Sequence, residues 1–194
     1  MIKNLQILAD LSPEKQLTFA YLICKRLAPN YAFFSKQFGF GNTNQLNACI
    51  DFIYNHIIKN DFDENAAIIH LHNIDAITPF PENFNTILAS SALDACSAIL
   101  DTLIFITDQD FNLIENISSY ATDSVDMYVQ DLENLDNNTD EDFEKKITNH
   151  PLMVKEIKTQ NDICISLKNT DVINEASIKS LLLSHAPQGN LGLN

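Results

Sequence analysis

The sequence contains few of the glycine, lysine and arginine residues on which phosphate-binding loops and nucleic-acid-binding surfaces depend. It has no tryptophan, only 4 glycines in 194 residues, and 12 Lys and Arg against 26 Asp and Glu, a formal net charge of −14. No Lys or Arg occurs between Lys59 and Lys145, a stretch that holds 19 Asp and Glu. Nucleic-acid binding needs clustered cations that displace phosphate counterions. We therefore expect no direct binding to DNA, RNA or anionic membranes. A basic protein partner or a divalent cation is compatible, and a solvated acidic face is the simplest interpretation.

Long apolar runs and targeting signals are also missing from the sequence. No run approaches the ~20 apolar residues that a membrane span needs. The N-terminal stretch MIKNLQILADLSPEK has a lone lysine, Lys3, before its first acid and no small-residue cleavage site, unlike a signal peptide. Apolar residues make up 45% of the chain, which argues against wholesale disorder. These features predict a cytoplasmic protein that does not enter a membrane.

Closely paired cysteines, which disulfide frameworks and zinc sites require, are absent as well. The four cysteines, Cys24, Cys49, Cys96 and Cys164, form no C-x-x-C pair, and each lies in an apolar helical context. We expect buried, reduced thiols and neither a bound metal nor a cofactor.

Apolar residues recur at helical spacing almost everywhere, whereas strand-type alternation is scarce. This pattern predicts an all-α protein, a single domain over residues 1–194 with about eight to nine helices around a central helix near residues 86–107. Pro29 is expected to end the second helix near Leu27. The candidate helical segments, ten with the short ones counted separately, cover about 2–9, 13–27, 31–38, 44–59, 64–74, 86–107, 111–134, 139–148, 151–167 and 171–185.

The stretch LAPNYAFFSKQFGFG, residues 27–41, holds two of the four glycines. It lacks the third glycine of a dinucleotide-binding loop and follows no predicted strand. Gly39 instead suits a left-handed helix C-cap, with Phe40 folding back onto Phe34. Gly41 then allows the chain to enter the next helix, so we interpret the stretch as a structural corner between helices.

The predicted central helix carries one narrow polar stripe on an otherwise apolar or small surface. Its members are Ser90, Asp94, Ser97 and Asp101, spaced i, i+4, i+7, i+11. A carboxylate such as Asp94 is costly to bury without a partner. Two interpretations stay open: the stripe faces water or a neighbouring partner, or it forms a polar groove centred on Asp94.

Acidic residues form two further patterns. Two Asp-x-Asp-x-Asn strings resemble the start of a calcium loop, but they lack the glycine and glutamate that follow in such loops. We interpret these acids as favouring helix N-termini; the strings begin at Asp61 and Asp108. Acids at i, i+3 also allow two carboxylates to share a divalent ion, as in some all-helical nucleotide pyrophosphatases. The pairs are Asp123 with Asp126, Glu133 with Asp136, and Glu141 with Glu144.

Several strings together resemble the YjaG-like family of uncharacterised bacterial proteins: CKRLAPNYAFF at 24–34, FGFG at 38–41, DFIY at 51–54, ALDAC at 92–96 and GNLG at 189–192. The resemblance implies an all-α fold and a bacterial cytosolic setting, and it brings no activity, cofactor or catalytic residue. Core packing alone does not demand the polar residues of these strings. The candidate binding residues are therefore Arg26, Asn30, Tyr31 and Asp94, beside the structural residues Pro29, Phe34, Gly39, Phe40 and Gly41.

The preferred interpretation is a non-enzymatic helical domain that binds a protein partner or self-associates. The alternative is a divalent-metal-dependent enzyme, similar to a nucleotide pyrophosphatase, that uses Asp123, Asp126, Glu141 and Glu144. We also expect Asp94 to pair with Arg26 or to accept a hydrogen bond from Tyr31, which would tie the corner to the central helix.

Overall fold

Two long helices, residues 13–38 and 88–108, pack against each other at the centre of the protein. The computed structural model describes residues 5–59, 63–185 and 189–193, and this part of the chain contains helices and turns but no strand. The predicted all-α class is therefore confirmed. The helices are α1 Leu5–Ala9, α2 Pro13–Phe38, α3 Thr43–Lys59, α4 Glu64–Ile77, α5 Leu88–Asp108, α6 Phe111–Leu132, α7 Phe143–Asn149, α8 Pro151–Asn169 and α9 Glu175–His185, with one 3-10 turn at Pro81–Asn83.

Helix α5 is the central helix that the sequence predicts. Its small residues, such as Ala92 and Ala95, are fully buried and let neighbouring helices approach closely. Its length and composition would also suffice to cross a membrane, yet 67% of its most apolar 18-residue window is buried inside the protein. Such burial is what a core helix of a helical bundle requires.

Pro29 does not end a helix, contrary to the prediction. Helix α2 runs without a break from Pro13 to Phe38, with Pro29 inside it. A proline in a helix interior costs about 3 kcal/mol because it removes one N–H donor and crowds the preceding turn. The parts of α2 before and after Pro29 both contain deeply buried side chains, such as Leu27 and Phe34. Burying such side chains contributes about 1.5–3 kcal/mol each, which offsets the cost of the proline.

Some helix ends also differ from the expected positions. The helix expected to start at Thr139 begins at Phe143, after a series of turns. Helix α9 begins at Glu175 because Asn174 and Ser177 cap it reciprocally. The Asn174 N–H donates to Ser177 Oγ at 2.8 Å, and the Ser177 N–H donates to Asn174 Oδ1 at 3.0 Å. The predicted start of the first helix, residues 2–4, and Asp61 lie outside the described residues.

The calcium-like strings mark helix N-termini, as interpreted. Asp63 caps α4 by accepting a hydrogen bond from the Ala66 N–H at 3.0 Å. Asp110 caps α6 by accepting from the Asn112 N–H at 3.0 Å. These carboxylates satisfy backbone donors that the first helical turn leaves without partners.

The four thiols are free and buried, as predicted. Burial disfavours the charged thiolate, and it raises the pKa of Cys24, Cys96 and Cys164 to about 12 and that of Cys49 to about 11. These thiols therefore contribute to packing as small apolar groups.

Every helix from α1 to α9 except α7 contributes to the main hydrophobic core. A smaller cluster forms beside it, where α6, α7 and α8 meet the C-terminal segment 189–193. Leu191 from that segment is 4% exposed and packs in this cluster with Val125, Val129 and Met153. Segment 189–193 is therefore a packed part of the fold.

Candidate functional site

Arg26 forms a buried ion pair with a residue that the sequence did not single out. Its Nη2 donates to Oε2 of Glu156 on α8, and the two side chains are 4% and 0% exposed. Its Nη1 donates to the backbone carbonyl of His185 at 2.7 Å, at the end of α9. Arg26 thus joins α2, α8 and α9, and it does not contact Asp94 as the sequence suggested.

A hydrogen-bonded network extends this pair to α6. Gln160 donates through Nε2 to Glu156 Oε1 at 3.0 Å and to the Ser118 carbonyl at 3.1 Å. Its Oε1 accepts from Ser118 Oγ at 2.7 Å. Glu156 and Gln160 occupy i and i+4 on the face of α8 that also carries Ile163 and Leu167. Two polar residues on an otherwise apolar helix face are the sequence pattern from which this network could have been predicted.

Asn30 fastens the C-terminal segment. Its Nδ2 donates to Oδ1 of Asn190 at 2.7 Å, and Asn190 in turn donates to the Ala121 carbonyl at 2.8 Å. Gly189 lies so close to α2 that an added Cβ would come within 3.0 Å of Pro29 Cβ. The PNY and GNLG strings, far apart in sequence, therefore form one contact.

Tyr31 connects the corner with the end of α4. Its hydroxyl donates to the Ile77 carbonyl at 3.0 Å and accepts from the Asn42 N–H at 3.1 Å. Burial raises its pKa to about 12. Tyr31 makes no contact with Asp94, which corrects the second partner suggested from the sequence.

The GFG corner has the predicted form. Gly39 is left-handed at φ 64°, and its N–H donates to the Ser35 carbonyl, which ends α2. The Phe34 and Phe40 rings are 6.1 Å apart between centroids, so Phe40 folds back as expected. This contact and the glycine cap together turn the chain into α3.

Replacing Gly41 by alanine should destabilise the protein far more than replacing Gly39. Both glycines have positive φ, at 79° and 64°, and this conformation costs an alanine about 1–2 kcal/mol at either position. A Cβ on Gly41 would also lie 2.0 Å from the Tyr31 hydroxyl, whereas the space beside Gly39 is open. Displacing that hydroxyl from its buried partner, the Ile77 carbonyl, and from the Asn42 N–H should cost about 2 kcal/mol more. Chemical denaturation of both variants measures the difference, and equal losses would contradict the tie assigned to Tyr31.

Asp94 is half-buried on the side of α5 that faces α6. It accepts a hydrogen bond from Ser124 Oγ at 2.7 Å. Desolvation by burial, with a smaller contribution from the nearby carboxylate of Asp123, raises its pKa to about 7. The polar stripe is therefore directed towards another helix, and Asp94 meets a hydroxyl and a second acid there.

Asp94 is linked to three more carboxylates: Asp123 acts on it directly, Asp126 acts on Asp123, and Asp101 shares the neighbour Tyr120 with it. We call the four together the carboxylate face: Asp94, Asp101, Asp123 and Asp126. Asp101 accepts from Tyr120 at 3.2 Å and from Asn116 at 3.3 Å. Desolvation raises the pKa of Asp101 and Asp123, and Asp126 contributes to the latter shift. Among the described residues, none of the four forms an ion pair. The face therefore presents acceptors to a positively charged group.

The acids of the predicted metal alternative are divided between two places. Asp123 and Asp126 lie on α6, whereas Glu141 precedes α7 and Glu144 lies in its first turn. Within 5–59, 63–185 and 189–193, no three or more His, Cys, Asp or Glu side chains are grouped to hold a metal ion. The structure thus leaves the two carboxylate pairs apart.

The fold is shared with a solved structure, that of a DUF416 family protein from Shewanella baltica OS155. The two agree with a TM-score of 0.88 over 98% of this chain and 97% of that chain, at 24% sequence identity. At this identity the likeness shows the fold alone.

Sequence comparison leads to the same group of proteins. The "Uncharacterized protein YjaG" of Escherichia coli K12 is 29% identical over 85 residues, 44% of this chain and 43% of that protein. The matched segment therefore spans less than half the length of this curated relative. A family model described as "Protein of unknown function (DUF416)" matches residues 3–194. The chain thus belongs to the DUF416 family, as the resemblance of its corner, central-helix and C-terminal strings to YjaG-like proteins implied.

Proposed function

We propose that this chain is a non-catalytic, cytosolic helical domain that binds a basic protein partner through the carboxylate face. The observation that carries the proposal is the set of four neighbouring carboxylates without an ion-pair partner in the described chain. Partly buried carboxylates are costly to ionise without an opposite charge. A lysine or arginine of a partner would supply that charge.

The charge of the whole chain supports the same choice of partner. A net charge of −14 accelerates encounters with a basic surface and opposes the approach of a second copy of the same chain. Of the two modes of association considered from the sequence, we therefore choose binding to a basic partner over self-association. The free thiols support the cytosolic setting, where thiols stay reduced.

A lysine-rich and arginine-rich peptide, with an acidic peptide of equal length as its counterpart, provides a direct test. Calorimetry at low and physiological salt should show binding of the basic peptide only, weakening as salt rises. The double variant Asp123→Asn/Asp126→Asn should weaken binding at least about fivefold, which is ~1 kcal/mol. Both residues lie on the carboxylate face.

A matched control removes the same charge elsewhere. The double variant Asp171→Asn/Glu175→Gln changes two exposed acids, one in the loop before α9 and one at its first residue, and should leave peptide binding nearly unchanged. Equal losses in the two double variants would mean that net charge alone attracts the peptide, against the proposal. A thermal shift with millimolar Mg²⁺ or Mn²⁺ that Asp123→Asn/Asp126→Asn abolishes would favour the metal-dependent alternative instead.

A further inference from the structure

A second candidate binding region lies at the C-terminal end of α5. The first turn of α2 and the last turns of α3 and α5 border an open cavity of about 450 Å³. This volume falls within the range of small-molecule pockets, roughly 300–1,000 Å³. We call it the end pocket; its lining includes Glu14, Leu17, His56, Ile57, Phe105 and Gln109.

The inner wall of the end pocket is apolar. Leu17, Ile57 and Phe105 are 5%, 6% and 1% exposed and belong to the main core, so they form a firm floor. Because these three side chains are already covered almost completely, a ligand would contact mainly the half-buried Ile58 and Ile106, which also line the cavity. The floor therefore favours the apolar part of a small molecule.

The polar rim of the end pocket favours positive charge. The C-terminal ends of α3 and α5 carry the negative ends of two helix dipoles, which stabilise cations near the last turn. The N-terminal end of α2, which carries the partial positive end of a dipole, also borders the cavity, and the full negative charge of the exposed Glu14 carboxylate in that turn exceeds it. No lysine or arginine is among the described residues that line the cavity. An anionic ligand would meet repulsion from all three sources.

Gln109 adds a hydrogen-bonding side chain at the rim. It is left-handed at φ 51° and caps α5, its N–H donating to the Phe105 carbonyl at 3.0 Å. Glycine adopts this conformation most readily, so a glutamine here carries a conformational cost. The carboxamide oxygen is an acceptor that suits an ammonium or guanidinium group.

We propose that the end pocket binds a small organic cation, with an ammonium or guanidinium group at Glu14 and Gln109 and an apolar body on the core floor. The ligand class follows from three features found together, namely the apolar floor, the two helix C-termini and the Glu14 carboxylate. This site is separate from the carboxylate face, since it uses none of the same residues.

Three probes of similar shape separate the contributions of charge and apolar contact. 2-Phenylethylamine is cationic, 2-phenylethanol is neutral and 3-phenylpropanoate is anionic. Ligand-observed NMR and calorimetry on the full chain should show binding of the amine, weaker binding of the alcohol and none of the acid. Equal binding of all three probes would overturn the proposal. So would a lack of binding by the amine at about 10 mM, a concentration at which weakly binding fragments are detected.

Variants assign the binding to this cavity. Glu14→Gln should weaken the amine at least about fivefold and leave the alcohol unchanged. Gln109→Gly should weaken the amine while the melting temperature stays equal or rises, because glycine relieves the left-handed strain. Ile106→Trp, at a half-buried lining position, should fill the cavity and abolish binding of both probes.

The double variants described above serve as controls. Asp123→Asn/Asp126→Asn and Asp171→Asn/Glu175→Gln should retain binding of the amine within twofold, which is within ~0.4 kcal/mol. Should either of them weaken the amine as much as Glu14→Gln does, general attraction to an acidic protein would explain the binding and the end pocket would be rejected.

Discussion

Asp94→Asn should stabilise the protein at pH 8 and remove part of its pH dependence. The carboxyl group of Asp94 faces Ser124 and the like charge of Asp123, and its pKa is raised from 3.8 to about 7. At 1.36 kcal/mol per unit, ionisation in the folded state costs roughly 4 kcal/mol. The asparagine amide must still be buried at this position, so we expect a net gain of about 2 kcal/mol.

The sign of the effect follows from proton binding. Between the unfolded pKa near 4 and the folded pKa near 7, the folded protein holds a proton at Asp94 that the unfolded chain has lost. Stability from this group therefore falls as the pH rises through that window and levels off above about 7. Asp101 and Asp123 also have raised pKa values, so some pH dependence should persist in the variant.

Urea unfolding at pH 5 and pH 8 measures this difference, and Ser124→Ala provides a matched variant. Because Ser124 donates to the ionised carboxylate, its removal should raise the pKa of Asp94 further and lower stability at pH 8. If Asp94→Asn instead lost several kcal/mol at pH 8, the carboxylate would have to be paired with a cation, as the sequence suggested.

Single replacements in the Arg26–Glu156 pair should each cost about 3–5 kcal/mol, because each leaves the other charge buried without its counter-ion. Arg26→Met preserves much of the apolar volume, and Glu156→Leu does the same on α8. The double variant Arg26→Met/Glu156→Leu removes both charges, so it should recover most of the loss. Chemical denaturation of the four proteins gives the coupling free energy of the pair.

A second polar contact provides a comparison for this cycle. Lys158 and Asp162 form an ion pair on the exposed side of α8, with side chains 73% and 40% exposed. Their replacement by alanine should change stability by less than about 1 kcal/mol, because water screens exposed pairs. Additive losses in the Arg26–Glu156 cycle, with no recovery in the double variant, would show that the two charges do not stabilise each other.

Both results bear on the polar residues of the corner and the C-terminal segment. Arg26, Asn30 and Tyr31 each form side-chain hydrogen bonds with partners inside the fold. Their contacts hold α2 against α4, α8, α9 and the segment 189–193. The ligand-binding role proposed for them from the sequence stays a prediction, and the carboxylate face and the end pocket offer more accessible groups.

The sequence by itself determined the features that depend on neighbours along the chain. Helical periodicity identified the central helix as α5, and Asp63 and Asp110 act within their own first turns. The left-handed cap at Gly39 and the return of Phe40 onto Phe34 involve residues a few positions apart. The surplus of acids is a property of composition alone.

The tertiary structure decided the contacts between distant parts of the chain. Arg26 and Glu156 are 130 positions apart, and Asn30 and Asn190 are 160 apart, so no local pattern specifies either pair. Pro29 stays inside α2 because packing on both sides of it outweighs its local preference to end a helix. Local rules act within a turn or two, whereas partner choice for a buried charge depends on which helices pack together. For that reason only the folded protein showed that the polar stripe of α5 meets Asp123 and Asp126 on α6, and only the folded protein revealed the end pocket.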